Sequence, residues 1–477
     1  MPKIHNIAKN TSYLTLALVL QKIISFTYFA ILARYLGPHS LGQYYFALSF
    51  TTIFSILIDL GFANALTREI AKIASTAGRY LSNIMTLKVL LSLFTLGAAI
   101  LSINLLGSDP LTKNLVYISC ISMVLDSFTT TFFAVSRGFH NLKYESFASV
   151  SFQAIVLLGG YLALYYHLDI VYIMAALALA SLYNFFFAWW VLVKKMKVKL
   201  FFSFNPVVAK EILTISWPFA GFAIFQRLYT YLDSVLLTFL AGSAATGIYQ
   251  VAFKIIFALQ FLPMAFTASL YPALSYYWLH NKNQLHITFE RAVNYLVIIS
   301  LPIIGGAIAL ADRIVLIFKS GFSGATLPLQ ISILALFFIF INFPIGSLLN
   351  SCDRQRRNTW NMAIVTVASV VLNLILIPRF QAVGASLTVL FTNILMTVLG
   401  VWQVRKIIAY RPQRNLIMIA KALGAALLMA LIVFYGKEYL SLVAATALGA
   451  LMYFLSLFAL KGFTRADLSS IRKSFKI

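Results

Sequence analysis

Charge is scarce in this sequence, and acidic charge scarcest: 13 Asp and Glu stand against 37 Lys and Arg, and all four types make up 10% of the 477 residues. A soluble chain carries roughly 25%, so a water-covered globule is excluded. Cysteine is nearly absent. Cys120 lies in an apolar run and Cys352 in a basic loop, and two such distant thiols make no redox or metal motif. The six histidines do not cluster with carboxylates at zinc-site spacing. No metal, cofactor or catalytic constellation is expected.

Apolar length takes the place of charge. Hydrophobic residues make up 61%, aromatics 15%, and the mean hydropathy is +0.89. Stretches of about 20 apolar residues match the bilayer core, and at that length only helices span it. Fourteen are found: 12–33, 41–66, 83–106, 114–136, 147–166, 170–193, 213–240, 247–274, 292–311, 328–350, 360–377, 383–404, 416–435 and 440–460. The first is too long for the apolar region of a signal peptide and has no small-residue cleavage site after it, so it reads as a spanning helix.

The formal charge of +24 would fit a nucleic-acid binder if it were gathered on one face or tail. It sits instead in the short segments between apolar runs. With the N-terminus placed in the cytoplasm, 27 Lys and Arg fall in inner segments, six in outer segments and four inside helices. By the positive-inside rule both termini are expected in the cytoplasm, in a plasma (inner) membrane, and no nucleic-acid partner is expected.

The chain also repeats itself. Gly37, Gly42, Tyr44 and Ala47 follow helix 1; Gly242, Gly247, Tyr249 and Ala252 follow helix 7. Both read G-x4-G-x-Y-x2-A, offset by 205 residues, and the same offset carries Lys22 onto Arg227. An offset of six helices preserves direction, so the repeat is parallel, a transporter architecture. The expected organisation is an N-terminal lobe of helices 1–6 (residues 1–199), a second lobe of helices 7–12 (200–410), and helices 13–14 with a cytoplasmic tail (411–477).

Ala33-Arg34-Tyr35-Leu36-Gly37-Pro38, Gly42, Tyr44, Asp59-Leu60-Gly61 and Thr67-Arg68-Glu69 resemble the opening of the polysaccharide flippase family. This Wzx-like family includes the O-antigen flippases and belongs to the multidrug/oligosaccharidyl-lipid/polysaccharide exporter superfamily. Asn373, Ile377-Pro378 and Val383-Gly384-Ala385 resemble its pattern between helices 11 and 12. The resemblance implies a MATE-like, two-lobed, alternating-access fold. It also implies a cargo of glycan linked to undecaprenyl or dolichol pyrophosphate.

Seven charges fall inside apolar runs: Lys22, Asp59, Lys88, Asp126, Arg227, Asp233 and Lys254. Each costs about 2.5–3.5 kcal/mol at a helix centre, so they are expected to face protein or a wet cavity. Asp233 and Lys254 lie eight residues either side of the helix 7–8 turn, both about 12 Å deep at 1.5 Å per residue, and are expected to pair. Asp59 and Lys88 flank the inner loop 67–82 at similar depth and are expected to pair too.

That leaves Lys22 and Arg227 near mid-membrane as a cationic lining for a diphosphate, with Lys254 a further candidate. Arginine grips phosphate by its fork and lysine acts as a point charge. Asp126 could instead neutralise Lys22. Asp126, Asp59 and Asp233 are candidates for a coupling proton or sodium ion. Pro218, Pro263, Pro272 and Pro302 are candidate kinks. Residues 68–82 and 276–291 are candidate interfacial helices.

Three readings follow. The first is a flippase for lipid-linked oligosaccharide, in contact with membrane lipids and with a polymerase or glycosyltransferases as possible partners. The second is a membrane-embedded glycosyltransferase or polymerase, which needs acid, base or metal groups beside an acceptor site. The longest outer segment, 312–327, holds one carboxylate, Asp312. The third is a drug exporter, whose cavity would carry carboxylates for organic cations. The cationic lining favours the first.

Overall fold

The computed structural model describes residues 7–198, 201–408 and 413–462, and among them every regular element is helical. Of the basic residues counted above, Lys3, Lys199, Arg411 and those beyond Gly462 lie outside the described residues. By length and composition 11 helices can cross a membrane, or 12 with one bent pair taken as a single span. Two of the long helices are each divided by one non-helical residue, Gly37 and Gln381. Dividing them there is consistent with fourteen spans.

By contacts the chain forms two compact units, 1–250 and 251–477. The first opens with α1 (Ile7–Phe54), continues through the short α2 (Ile56–Asp59) and reaches α3 (Phe62–Lys72). Spanning helices α4 (Ala77–Leu105), α5 (Pro110–Gly138), α6 (Lys143–Tyr165) and α7 (Ile170–Trp190) follow, then α8 (Pro206–Ala241). Because α8 packs on α1, α3 and α4, it belongs with them in the first unit. Its two halves, Pro206–Trp217 and Ala220–Ala241, meet at 55°. Pro218 occupies that bend, and its side chain lies outside the described residues.

The apolar run 41–66 does not stay helical to its end. Leu60 and Gly61 are both left-handed (φ 33° and 77°), a conformation that most side chains resist. This break ends α2 at Asp59. Beyond it, α3 is amphipathic. Phe62, Ala65, Leu66 and Ile70 are buried, while Arg68 and Lys72 are exposed and flank Glu69. The surface helix therefore covers 62–72 rather than 68–82, and residues from Ala77 on already belong to the spanning α4. At the far end of α4, Asp109 caps α5 by accepting from the Thr112 N–H, and Gln43 donates to the same carboxylate. Partial burial pushes this carboxyl up, but the hydrogen bonds from Thr112 and Gln43 prevail and hold it below its ordinary value.

Helix α9 (Ser243–Leu259) runs across the boundary between units. The second unit contains α10 (Phe261–His280), α11 (Lys282–Ala309), α12 (Ala311–Leu316), α13 (Thr326–Ser351), α14 (Gln355–Val404), α15 (Gln413–Gly436) and α16 (Leu442–Ala459). Helices α10 and α11 continue through Pro272 and Pro302, so neither proline breaks its helix. Residues 276–291 form no separate interfacial helix. They are the end of α10 and the start of α11, divided at Asn281, whose side chain caps α11 by accepting from the Gln284 N–H. Helices α11, α15 and α16 share one apolar core that includes Val297, Met429, Val433 and Tyr453.

Candidate functional site

The repeated motifs lie against each other. Gly37 (φ 71°, ψ 175°) and Gly242 (φ 88°, ψ 167°) adopt the same backbone conformation, one essentially restricted to glycine. It turns the chain between the helices of each hairpin. A Cβ on Gly42 would stand 1.8 Å from the Ser243 carbonyl oxygen, and one on Gly247 would stand 1.9 Å from the Pro38 carbonyl oxygen. Pro38 and Ser243 are themselves related by the 205-residue offset, so the contact is reciprocal, as across a two-fold axis.

The equivalence extends down the hairpins. The Tyr28 and Tyr44 hydroxyls are 3.3 Å apart, and at the equivalent positions the Tyr249 hydroxyl donates to Asp233 at 3.1 Å. Asp233 therefore has a tyrosine partner that spacing alone did not reveal.

The charged centre lies at the break that ends α2. Lys88 of α4 is 1% exposed, and its ammonium lies 3.1 Å from Asp59 Oδ1, the pair expected from depth. It also donates to the Ser127 carbonyl at 2.7 Å, the Ser127 hydroxyl at 2.6 Å and Thr131 Oγ1 at 2.8 Å. The Ser127 hydroxyl in turn donates to Asp59 Oδ1. The other carboxylate oxygen, Oδ2, takes Arg227 Nη2 at 2.9 Å, and Arg227 Nη1 donates to Ser55.

In the sequence no partner for Arg227 is evident within its own hairpin, and the carboxylate it meets comes from another helix. The bend in α8 and its packing beside α2 bring Arg227 to Asp59. Three formal charges meet here with a sum of +1. The two cations differ in reach: Lys88 is sealed, whereas the Arg227 side chain is 36% exposed. The hydroxyls of Ser55, Ser127 and Thr131 complete the cluster, and nothing in their spacing marked them in the sequence.

Lys22 is half-buried on α1. Asp126, half-buried on α5 one residue before Ser127, makes no ion pair among the described residues, so the alternative pairing with Lys22 is not seen. Lys254 lies on α9 in the second unit, its ammonium 5.9 Å from the Phe253 ring. No group of three or more His, Cys, Asp or Glu suited to a metal ion occurs among the described residues.

Solved structures share this fold. The inward closed form of the lipid II flippase MurJ superposes with a TM-score of 0.79 over 93% of this chain and 97% of that one, at 16% identity. An inward-facing multidrug MATE transporter of the MOP superfamily superposes at 0.65, over 82% and 98%, also at 16% identity. The molecule is therefore an all-helical, polytopic membrane protein of MATE-like fold. Residues 7–278, more than half the chain, match the polysaccharide biosynthesis protein family, and the chain belongs to that family.

Among relatives, the probable flippase AglR of Haloferax volcanii is 23% identical over 44% of this chain, and the capsular polysaccharide biosynthesis protein CapF of Staphylococcus aureus is 20% identical over 80% of it. The match spans 95% of CapF but 45% of AglR, and 58% of another relative, an uncharacterized membrane protein of Methanocaldococcus jannaschii.

Proposed function

We propose that this protein is a flippase that moves lipid-pyrophosphate-linked oligosaccharide from the cytoplasmic to the outer leaflet by alternating access, for export of a cell-surface glycan. Family membership, the flippase and capsular names of its relatives, and the MurJ-like fold support transport over glycosyl transfer. The observation that carries the reading is the half-exposed Arg227 resting on a carboxylate that Lys88 also neutralises.

A diphosphate offers the guanidinium more charge and a matching bidentate geometry. It can therefore take Arg227 from Asp59, and Asp59 is not left bare, because Lys88 remains. Only an interaction that differs between two states can shift their balance. Exchange of Asp59 for phosphate at Arg227 is such an interaction. Lys22, at the equivalent repeat position, is assigned to the same diphosphate, and Lys254 remains a further candidate for its charge and depth in its own helix. Asp126, which makes no ion pair among the described residues, is the leading coupling-ion candidate, with Asp59 and Asp233 beside it. The proposed lobes remain 1–199 and 200–410, with both termini cytoplasmic and a polymerase or glycosyltransferases as neighbours.

In a deletion strain complemented with variants, Lys22→Ala and Arg227→Ala should each remove surface glycan at normal membrane yield. Lys22→Arg should retain part of it, and Lys22→Glu none. Wild-type glycan levels in both alanine variants would end the proposal.

A further inference from the structure

The first unit carries a second cationic feature, away from Arg227 and Asp59. A cavity of about 830 Å³ opens between the start of α4 and the segment joining α7 to α8. Arg79 and Lys197 supply its charge, Ser82, Asn83 and Asn205 supply polar wall, and among the described residues none that lines it is acidic. The walls are tied together: the Asn205 N–H donates to Asn83 Oδ1 at 2.7 Å, and Thr86 Oγ1 donates to the Ser203 carbonyl at 3.2 Å.

The surroundings set its depth relative to a bilayer. Phe201, Phe202 and Phe204 are 61%, 75% and 55% exposed on non-helical backbone. Irregular backbone open to lipid does not occur in the hydrocarbon core, whereas exposed aromatics beside lysines are typical of the interface. Just before the segment, Lys195 lies 5.2 Å from the Trp190 ring, and Lys194 is exposed beside it. The cavity therefore opens at headgroup level, lined by the two cations and Phe201, with Phe202 and Phe204 exposed on the same segment.

We infer that this cavity binds the phosphate headgroup of an anionic phospholipid of the surrounding bilayer. Arg79 and Lys197 contact the phosphate, and the acyl chains pass the exposed phenylalanines. The bound lipid pins the α7–α8 segment to α4. The cations match the phosphate charge, and the phenylalanines would have no purpose for a free anion.

The test is native mass spectrometry of the full-length protein in detergent, titrated with phosphatidylglycerol, phosphatidylcholine or inorganic phosphate. Arg79 and Lys197 are both exposed, so Arg79→Gln with Lys197→Gln should leave the fold intact, checked by an unchanged melting temperature in phosphatidylcholine. Each basic group near an anionic lipid surface contributes measurably, so the double variant should bind phosphatidylglycerol about tenfold more weakly or worse. Phosphatidylcholine should bind weakly and equally to both proteins. Equal phosphatidylglycerol affinity in the two proteins would overturn the inference, as would equal wild-type affinity for the two lipids. Displacement of the lipid by millimolar inorganic phosphate would show a free-anion site instead and would also overturn it. None of these outcomes depends on whether the protein flips a glycan.

Discussion

Gly42→Ala is expected to abolish glycan export while the protein still reaches the membrane at normal yield, and Gly247→Ala should do the same. Alanine at either helical position would gain about 0.5–1 kcal/mol of local helix stability over glycine, so any loss must come from the contact. There the added Cβ would meet a backbone carbonyl oxygen at 1.8 or 1.9 Å. No side-chain rotation can relieve a clash with backbone, so the two hairpins must part. If their contact closes one side of an alternating-access cycle, the substituted protein can still fold but cannot occupy the closed state.

Spin labels at His39→Cys and Ala244→Cys, exposed positions related by the repeat, would report the separation after Cys120→Ser and Cys352→Ser remove the native thiols. Gly42→Ala should shift the distance distribution to longer values. Full export with an unchanged distribution would mean that the contact is not a gate.

Lys88→Met should cause the largest loss of folded protein among the charge changes. It removes the buried ammonium that satisfies the Ser127 carbonyl, two hydroxyls and half of Asp59. Breaking a buried pair from one side costs about 3–5 kcal/mol, against a typical total stability of about 5–15 kcal/mol. Asp59→Asn should also fold poorly, because it strands Lys88. The double variant should recover part of the loss, since it leaves no uncompensated buried charge. Arg227→Ala, at a half-exposed site where Asp59 keeps Lys88, should leave yield close to normal. This contrast separates the cation that holds the fold from the one assigned to substrate. A double variant as poor as the two single losses added together would show that Asp59 and Lys88 do not act as a pair.

Much of this fold could be read from the chain because a bilayer imposes few solutions. Apolar runs of spanning length with basic residues between them identify a polytopic helical membrane fold. The Asp59–Lys88 pair was legible because both residues lie near one loop, and rise per residue then gives their relative height. Height says nothing of direction around a helix. The Arg227–Asp59 contact therefore stayed hidden: it depends on how the bent α8 packs beside α2. The left-handed Leu60 and Gly61 were hidden for a related reason. They sit within an apolar run of spanning length, and an isolated glycine there gives no sign that its leucine neighbour also turns. The hydrogen bond from the Tyr249 hydroxyl to Asp233 was not legible either, because a tyrosine carries no charge to attract attention.

The most direct measurement is translocation by the purified protein in liposomes. A short-chain polyprenyl-pyrophosphate saccharide with a fluorescent label would be placed in both leaflets, and an impermeant quencher added outside. With wild-type protein the protected half of the signal should become accessible over time. With Arg227→Ala it should stay protected, and the same label on a neutral glycolipid without phosphate should stay protected with either protein. Translocation of the neutral glycolipid at the wild-type pyrophosphate rate, or undiminished pyrophosphate translocation by Arg227→Ala, would contradict a flippase that grips its cargo by the diphosphate.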